Sequence, residues 1–171
     1  MRRRRERLDK DGFVDNDIHY LMFSQTAEYA LRAVVWLAQH PGKPSTRQQI
    51  ASATRAPADY LAKVMRALGQ AGVVQAGRGV HGGFLLARRP DAISVLEVVN
   101  AVDPIRRIHS CPLDIESHSL RLCPLHRKLD DAVAHIEAAL RATRLSDLTG
   151  EGEQVRPLCE AAQILRGAAS Q

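Results

Sequence analysis

Nineteen residues, Gly72 to Pro90, place the tightest constraint on this chain: Gly-Val-Val-Gln-Ala-Gly-Arg-Gly-Val-His-Gly-Gly-Phe-Leu-Leu-Ala-Arg-Arg-Pro. Val73 and Val74 on one side and Phe84, Leu85 and Leu86 on the other are strand formers. Gly77, Gly79, Gly82 and Gly83 between them permit positive φ and close backbone approach. The pattern predicts a two-stranded ribbon with Arg78 and His81 at its tip. By itself such a ribbon is either a surface hairpin or a wing that reaches a DNA groove. What precedes it decides between the two.

Upstream, Ser45 is placed to cap a short helix from Thr46 to about Thr54 that turns Ile50 and Ala51 inward. A longer helix starts near Pro57, a favourable first-turn residue, and ends at Gly72. Leu61, Val64, Met65, Leu68 and Ala71 recur on it at helical spacing, and Asp59, Tyr60, Lys63, Arg66 and Gln70 occupy the other face. A short helix, a tight turn and a longer helix with one polar face form the helix-turn-helix plan. With the ribbon directly after it, the plan becomes a winged helix-turn-helix. A further helix is expected ahead of this pair, capped by Ser24 and stopped near His40 by Pro41-Gly42. It carries two apolar faces, one of Ala27, Ala30, Leu31, Val34, Leu37 and Ala38 and one of Tyr29, Ala33 and Trp36. Packing both on its own domain and on another helix or subunit is the expectation for it.

Charge follows the same division. Residues 43–89 hold eight Lys/Arg against Asp59 alone, a net +7, whereas residues 90–171 hold nine basic and twelve acidic residues. One region faces a polyanion, and double-stranded DNA fits. The positions offered to it are Ser45, Thr46, Arg55, Pro57, Tyr60, Lys63 and Arg66 from the helix pair and Arg78 and His81 from the ribbon. Aromatic residues are only 4% of the chain, which agrees with a mainly α protein. No apolar run approaches the ~20 residues that span a bilayer. Arg2 to Arg5 lead into Glu6, Asp9 and Asp11 rather than an apolar segment, so a cytoplasmic protein with a disordered, dispensable leader over residues 1–21 is expected. The winged domain then occupies 22–90.

Beyond the wing, Ser94 is placed to cap a helix from Val95 to Val102 ended by Asp103-Pro104. A loop over 103–123 holds Cys111, His109 and His118 and ends at Cys123; loops of such length are usually functional or disordered. From Pro124 to about Thr143, Leu125, Leu129, Ala132, Val133, Ile136 and Leu140 form one seam, as in a dimerisation helix. Residues 149–171 are a tail with a short helix expected near Cys159 to Leu165. Three cysteines, Cys111, Cys123 and Cys159, make no disulfide framework; they read as buried thiols, redox-active thiols or metal ligands.

Ser-Gln-Thr-Ala-Glu-Tyr-Ala-Leu-Arg-Ala (24–33), Ala-Pro-Ala-Asp-Tyr-Leu-Ala-Lys-Val-Met (56–65), Arg-Gly-Val-His-Gly-Gly-Phe-Leu-Leu-Ala-Arg (78–88), Ile-Ser-Val-Leu-Glu-Val-Val-Asn-Ala-Val-Asp (93–103) and Cys-Pro-Leu-His (123–126) together resemble the bacterial winged-helix regulators that include IscR, NsrR and CymR. The resemblance runs in order from about Phe23 to about Leu148. It implies a homodimer that binds operator DNA, often as a repressor, and in many members a loop holding an iron–sulfur cluster, [2Fe-2S] or [4Fe-4S]. Cluster-binding members carry Cys-x5-Cys-x5-Cys, in one branch with a histidine three residues on. Cys111, Cys123 and His126 match the outer cysteines and that histidine, while Ser117 stands at the middle position. Serine is a poor substitute for a thiolate. Replacement ligands are His118, next to it, or Glu28, which aligns with an acidic residue that in some members ligates the partner's cluster. The alternatives are a reversible Cys111–Cys123 thiol switch, a structural zinc site, or a loop without either. An enzyme, such as a metal hydrolase built on Cys111, Cys123, His126 and Glu28, lacks support from any substrate-pocket motif or Cys-x2-Cys spacing.

Overall fold

The computed structural model describes residues 23–77, 82–111 and 122–150. The elements in order are α1 (Gln25–Ala38), α2 (Arg47–Thr54), α3 (Ala58–Gln70), β1 (Val74–Ala76), β2 (Phe84–Leu86), α4 (Val95–Val102) and α5 (Pro124–Ala142), with 3-10 turns at Pro90–Ala92 and Leu145–Leu148. The leader and the tail beyond residue 150, with its expected helix near Cys159, lie outside the described residues, as do Arg78, His81, Ser117 and His118.

Helix α1 is the centre of the winged domain. Ser24 caps it as expected, its side chain accepting from the Ala27 amide at 3.2 Å. Ala27, Tyr29, Ala30, Ala33, Val34, Val35, Trp36 and Leu37 are all buried. Both apolar faces are therefore covered, and elements of the same chain cover them: α1 packs on α2, α3, α4 and β2. No second subunit is needed to account for its double-sided pattern.

Two local expectations are corrected at α2 and α3. Thr46, rather than Ser45, is the cap of α2, accepting from the Gln49 amide at 3.2 Å while the Gln49 side chain accepts from the Thr46 amide at 2.8 Å. Ser45 also has a glutamine three residues on, Gln48, but its amide and carbonyl are both bonded to Phe84, and the reciprocal pair forms one residue later. Pro57 caps α3 instead of sitting inside its first turn. Between them Arg55 closes α2 in the left-handed region, at φ 54°, a conformation that costs a non-glycine residue roughly 1–2 kcal/mol. Helix α3 buries Leu61, Val64, Met65 and Leu68, each stabilising the fold by roughly 1.5–3 kcal/mol when fully buried. It stops at Gly72, φ 68°. The Val73 amide donates to the Leu68 carbonyl at 3.0 Å and the Gly72 amide to the Gly69 carbonyl at 3.1 Å, a closed pair of bonds that only a residue tolerant of positive φ allows.

The ribbon forms in the register Val74↔Leu86, Gln75↔Leu85, Ala76↔Phe84. Ser45 bridges the other edge of β2, its amide donating to the Phe84 carbonyl at 3.0 Å and its carbonyl accepting from the Phe84 amide at 2.8 Å. The wing is thus stitched to the start of α2. Gly83 is needed for this approach, since a Cβ there would lie 2.8 Å from the Ser45 carbonyl oxygen. Neither Gly77 nor Gly83 has positive φ, so closeness, and not handedness, is what selects glycine at 83.

Ser94 caps α4 with a reciprocal bond to Glu97, and the Ser94 amide is the main reason the Glu97 carboxyl sits below its usual range. After α5 the chain returns to α4: the Val95 amide donates to Thr143 at 3.0 Å, the Leu145 amide to Ile93 at 2.9 Å, and Leu145 is fully buried. Among the described residues no helix is long and apolar enough to cross a membrane.

Candidate nucleic-acid interface and cysteine loop

Thr46, Arg47, Arg55, Pro57, Asp59, Tyr60, Lys63 and Arg66 are exposed. They come from the first turn of α2, the turn between the helices, and the outward side of α3. Arg47, next to the cap Thr46, was not among the positions picked from the sequence; its place in the first turn of the short helix was the available signal. Ser45 leaves the set. It is 6% exposed, its hydroxyl accepts from Trp36 Nε1 at 3.3 Å, and its backbone is used by Phe84. A side chain turned inward by these bonds cannot hold a phosphate.

Tyr60 is fixed against α1. Its hydroxyl is hydrogen-bonded to Thr26 Oγ1, and its ring meets Tyr29 edge-on with centroids 5.9 Å apart. Burial raises the Tyr29 phenol above its ordinary pKa, against the opposing charge of Arg32. Arg32 in turn pairs with Glu28 one turn earlier and donates to the Thr54 carbonyl at 3.3 Å. Glu28 therefore has a guanidinium partner on its own helix and makes no described contact with the cysteine loop.

The basic field is smaller than residues 43–89 suggest. Arg88 pairs with Glu97 at 2.7 Å and Arg89 with Asp91 at 2.7 Å, and both acids lie just past the end of that segment. Among the described residues the field then rests on Lys43, Arg47, Lys63 and Arg66.

Downstream, the ends of the cysteine loop converge. Cys111 is buried, Cys123 is the residue before α5, and His126 sits in the first turn of α5. His126 Nδ1 lies 3.3 Å from Cys123 Sγ and 3.9 Å from Cys111 Sγ. Residues 12 positions apart in sequence are thus gathered on one imidazole nitrogen. Among the described residues no set of three or more His, Cys, Asp or Glu side chains is closed tightly enough to hold a metal ion. Just before Cys111, Arg107 makes two bonds to Asp130 on α5, at 2.7 and 2.6 Å, and reaches Glu137 at 3.6 Å. The Ile108 amide donates to Asp130 at 2.8 Å. Arg107 holds the Asp130 carboxyl down at about 2, and the two carboxylates push the guanidinium up. Asp130 lies off the apolar seam of α5, and no periodicity distinguishes a carboxylate that faces a loop from one that faces water.

A helix-turn-helix with its wing anchored on α2 and a basic outer surface defines a winged-helix DNA-binding protein. The family model of the iron-dependent transcriptional regulators, Rrf2, matches residues 23–151, and the chain belongs to that family. A protein of Aquifex aeolicus assigned as an HTH-type transcriptional regulator is 30% identical over 131 residues, covering 75% of this chain and 91% of that one. CymR, the global cysteine regulator of B. subtilis, superposes with a TM-score of 0.62 at 28% identity, over 75% of this chain and 95% of CymR. IscR of T. potens does so with a TM-score of 0.63 at 26% identity, over 79% and 90%. These relatives are transcriptional regulators, not enzymes, and the hydrolase alternative falls.

Proposed function

We propose that the chain is a homodimeric repressor that binds double-stranded operator DNA and whose affinity is set at Cys111, Cys123 and His126 by an iron–sulfur cluster, [2Fe-2S] or [4Fe-4S]. The convergence of both cysteines on His126 is the observation that carries the sensing part. Two thiols and an imidazole are the right donor chemistry for such a group, and mixed ligation is known to suit it. Most clusters take four protein donors, so one more is needed, from His118 or from Glu28 of the partner subunit. When bound, the cluster supplies a redox- and ligand-sensitive centre. This chain's residues hold it at the junction of the loop and α5. A second reading, a Cys111–Cys123 thiol switch, is favoured by Ser117 at the middle position and by the imidazole shared between the thiols.

For DNA, the exposed α5 residues Leu125 and Leu129 support pairing of two chains along that helix. The pair would present two α3 helices to successive major-groove faces, about 34–36 Å apart. Thr46, Arg47, Arg55 and Lys63 hold phosphates, with Pro57, Tyr60 and Arg66 at the duplex surface. Arg78, with His81, enters the adjoining minor groove, whose narrow A·T-rich form attracts arginine. Phosphate contacts fix the register and base contacts select the operator.

Anaerobic purification followed by visible absorption and iron and sulfide assay tests the sensor. Iron and sulfide in equal amounts, lost in Cys123→Ala, is the expected result; colourless protein without either favours the thiol switch. In a mobility-shift titration Arg78→Ala is expected to weaken operator binding at least several-fold, and unchanged binding rejects that contact.

A further inference from the structure

We infer that Arg107 and Asp130 are positioning residues that set the register of the cysteine loop on α5, and so place Cys111 against Cys123 and His126. The inference rests on the sensor reading above but concerns how the site is built, whichever group it serves. Cys123, His126, Asp130 and Glu137 lie on one side of α5, at successive spacings of three, four and seven residues, which are whole turns to within a small angle. The loop runs along that side in the opposite direction. Ile105 lines a small apolar cavity with Val133 and Ile136, Arg107 spans Glu137 and Asp130, Ile108 donates to Asp130, and Cys111 reaches His126. From Arg107 through Ile108 to Cys111, rising loop number therefore meets falling helix number.

Of these contacts the Arg107–Asp130 pair has the most defined geometry. Two parallel N–H···O bonds from one planar guanidinium fix both distance and angle, and the Ile108 amide takes the same carboxylate from the backbone. Asp130 is thereby held by three donors. The ion pair is one turn of helix from His126 and four residues from Cys111. Without it, the loop ahead of Cys111 keeps the single Ile108 amide bond and the apolar Ile105 contact farther back, neither of which fixes its angle on α5 as the paired bonds do. A longer free segment lowers the effective concentration of the two thiols.

The test uses the full-length, metal-free chain carrying Cys159→Ser, equilibrated with glutathione buffers of graded ratio. In the reaction two thiols form one S–S bond. Two electrons and two protons pass to glutathione disulfide, whose own S–S bond breaks to give two glutathione thiols. The fraction of intramolecular Cys111–Cys123 bridge is read by mass after alkylation. Arg107→Ala is expected to lower the effective concentration of the pair about tenfold, Arg107→Lys to restore part of it, and the thermal midpoint of the reduced winged domain to stay unchanged. Asp130→Asn, which keeps an acceptor for Ile108, gives the same direction and serves if Arg107→Ala misfolds. A bridge equilibrium in both variants equal to that of the parent overturns the positioning role while leaving the convergent site standing. A parent that forms no bridge at any ratio overturns the convergence itself, and the positioning role with it.

Discussion

Helices α3 and α5 are both amphipathic, yet they end up in opposite situations. The 13-residue α3 buries Leu61, Val64, Met65 and Leu68, whereas the 19-residue α5 buries none of its residues, with Leu125 64% and Leu129 48% exposed. The apolar stripe of α3 is satisfied inside the chain by α1, α2 and α4, which leaves its polar side available for a partner of opposite charge. The stripe of α5 leaves Leu125 and Leu129 exposed at its N-terminal half, and that exposure is the basis of the proposed pairing along this helix. The two halves of the protein therefore differ in what completes them: folding completes the winged domain, and association is proposed to complete the other.

The largest expected effect probes α3. Leu61→Ala should cost roughly 2–5 kcal/mol in denaturant unfolding, because the site is fully buried among helices that cannot collapse onto it. Leu129→Ala should cost under about 1 kcal/mol in dilute solution; equal costs at the two positions would break the contrast. Next, Leu129→Lys should convert dimers to monomers in sedimentation velocity and weaken operator binding by about tenfold or more, since two half-sites are no longer held together. An unchanged sedimentation coefficient would remove α5 as the association face. Gly83→Ala should then destabilise by roughly 1–3 kcal/mol, the range for forcing extra carbon into a packed site, and loosen the wing, visible as faster amide exchange at Ser45 and Phe84. The smallest effect sharpens the α5 side. The Asp130 carboxyl is depressed to about 2 by Arg107 and the Ile108 amide, so its stabilising contribution is complete above about pH 4, where an unfolded carboxyl is ionised, and is lost as pH falls through 2. The Ile108 amide resonance should titrate with that low midpoint, and Arg107→Ala should move the midpoint up.

Much of the winged domain was legible because its determinants are local. Ser24 and Ser94 cap where a serine three residues before a helix-compatible amide must cap, Gly72 stops α3, and the apolar runs around residues 74 and 85 pair in register. The same local logic misassigned Ser45. A serine ahead of a helix reads as a cap, but Gln49 gives Thr46 the reciprocal bond, and Ser45 is drawn instead to Phe84 and Trp36, partners 39 and nine residues away. The charge count failed for a related reason: Arg88 and Arg89 were added to the basic segment without the acids at 91 and 97 that neutralise them.

By itself the sequence determined which elements form, where they stop and which residue types stand at the cysteine loop, because capping, periodicity and glycine placement act within a few residues. Only the tertiary structure decided that both faces of α1 are closed within one chain and that Gly83 serves a close approach rather than a turn. It also decided that Asp130 faces Arg107, with Cys111 and Cys123 brought to the same nitrogen of His126. Those outcomes depend on which segment lies across from which, and that is set by packing between distant parts of the chain.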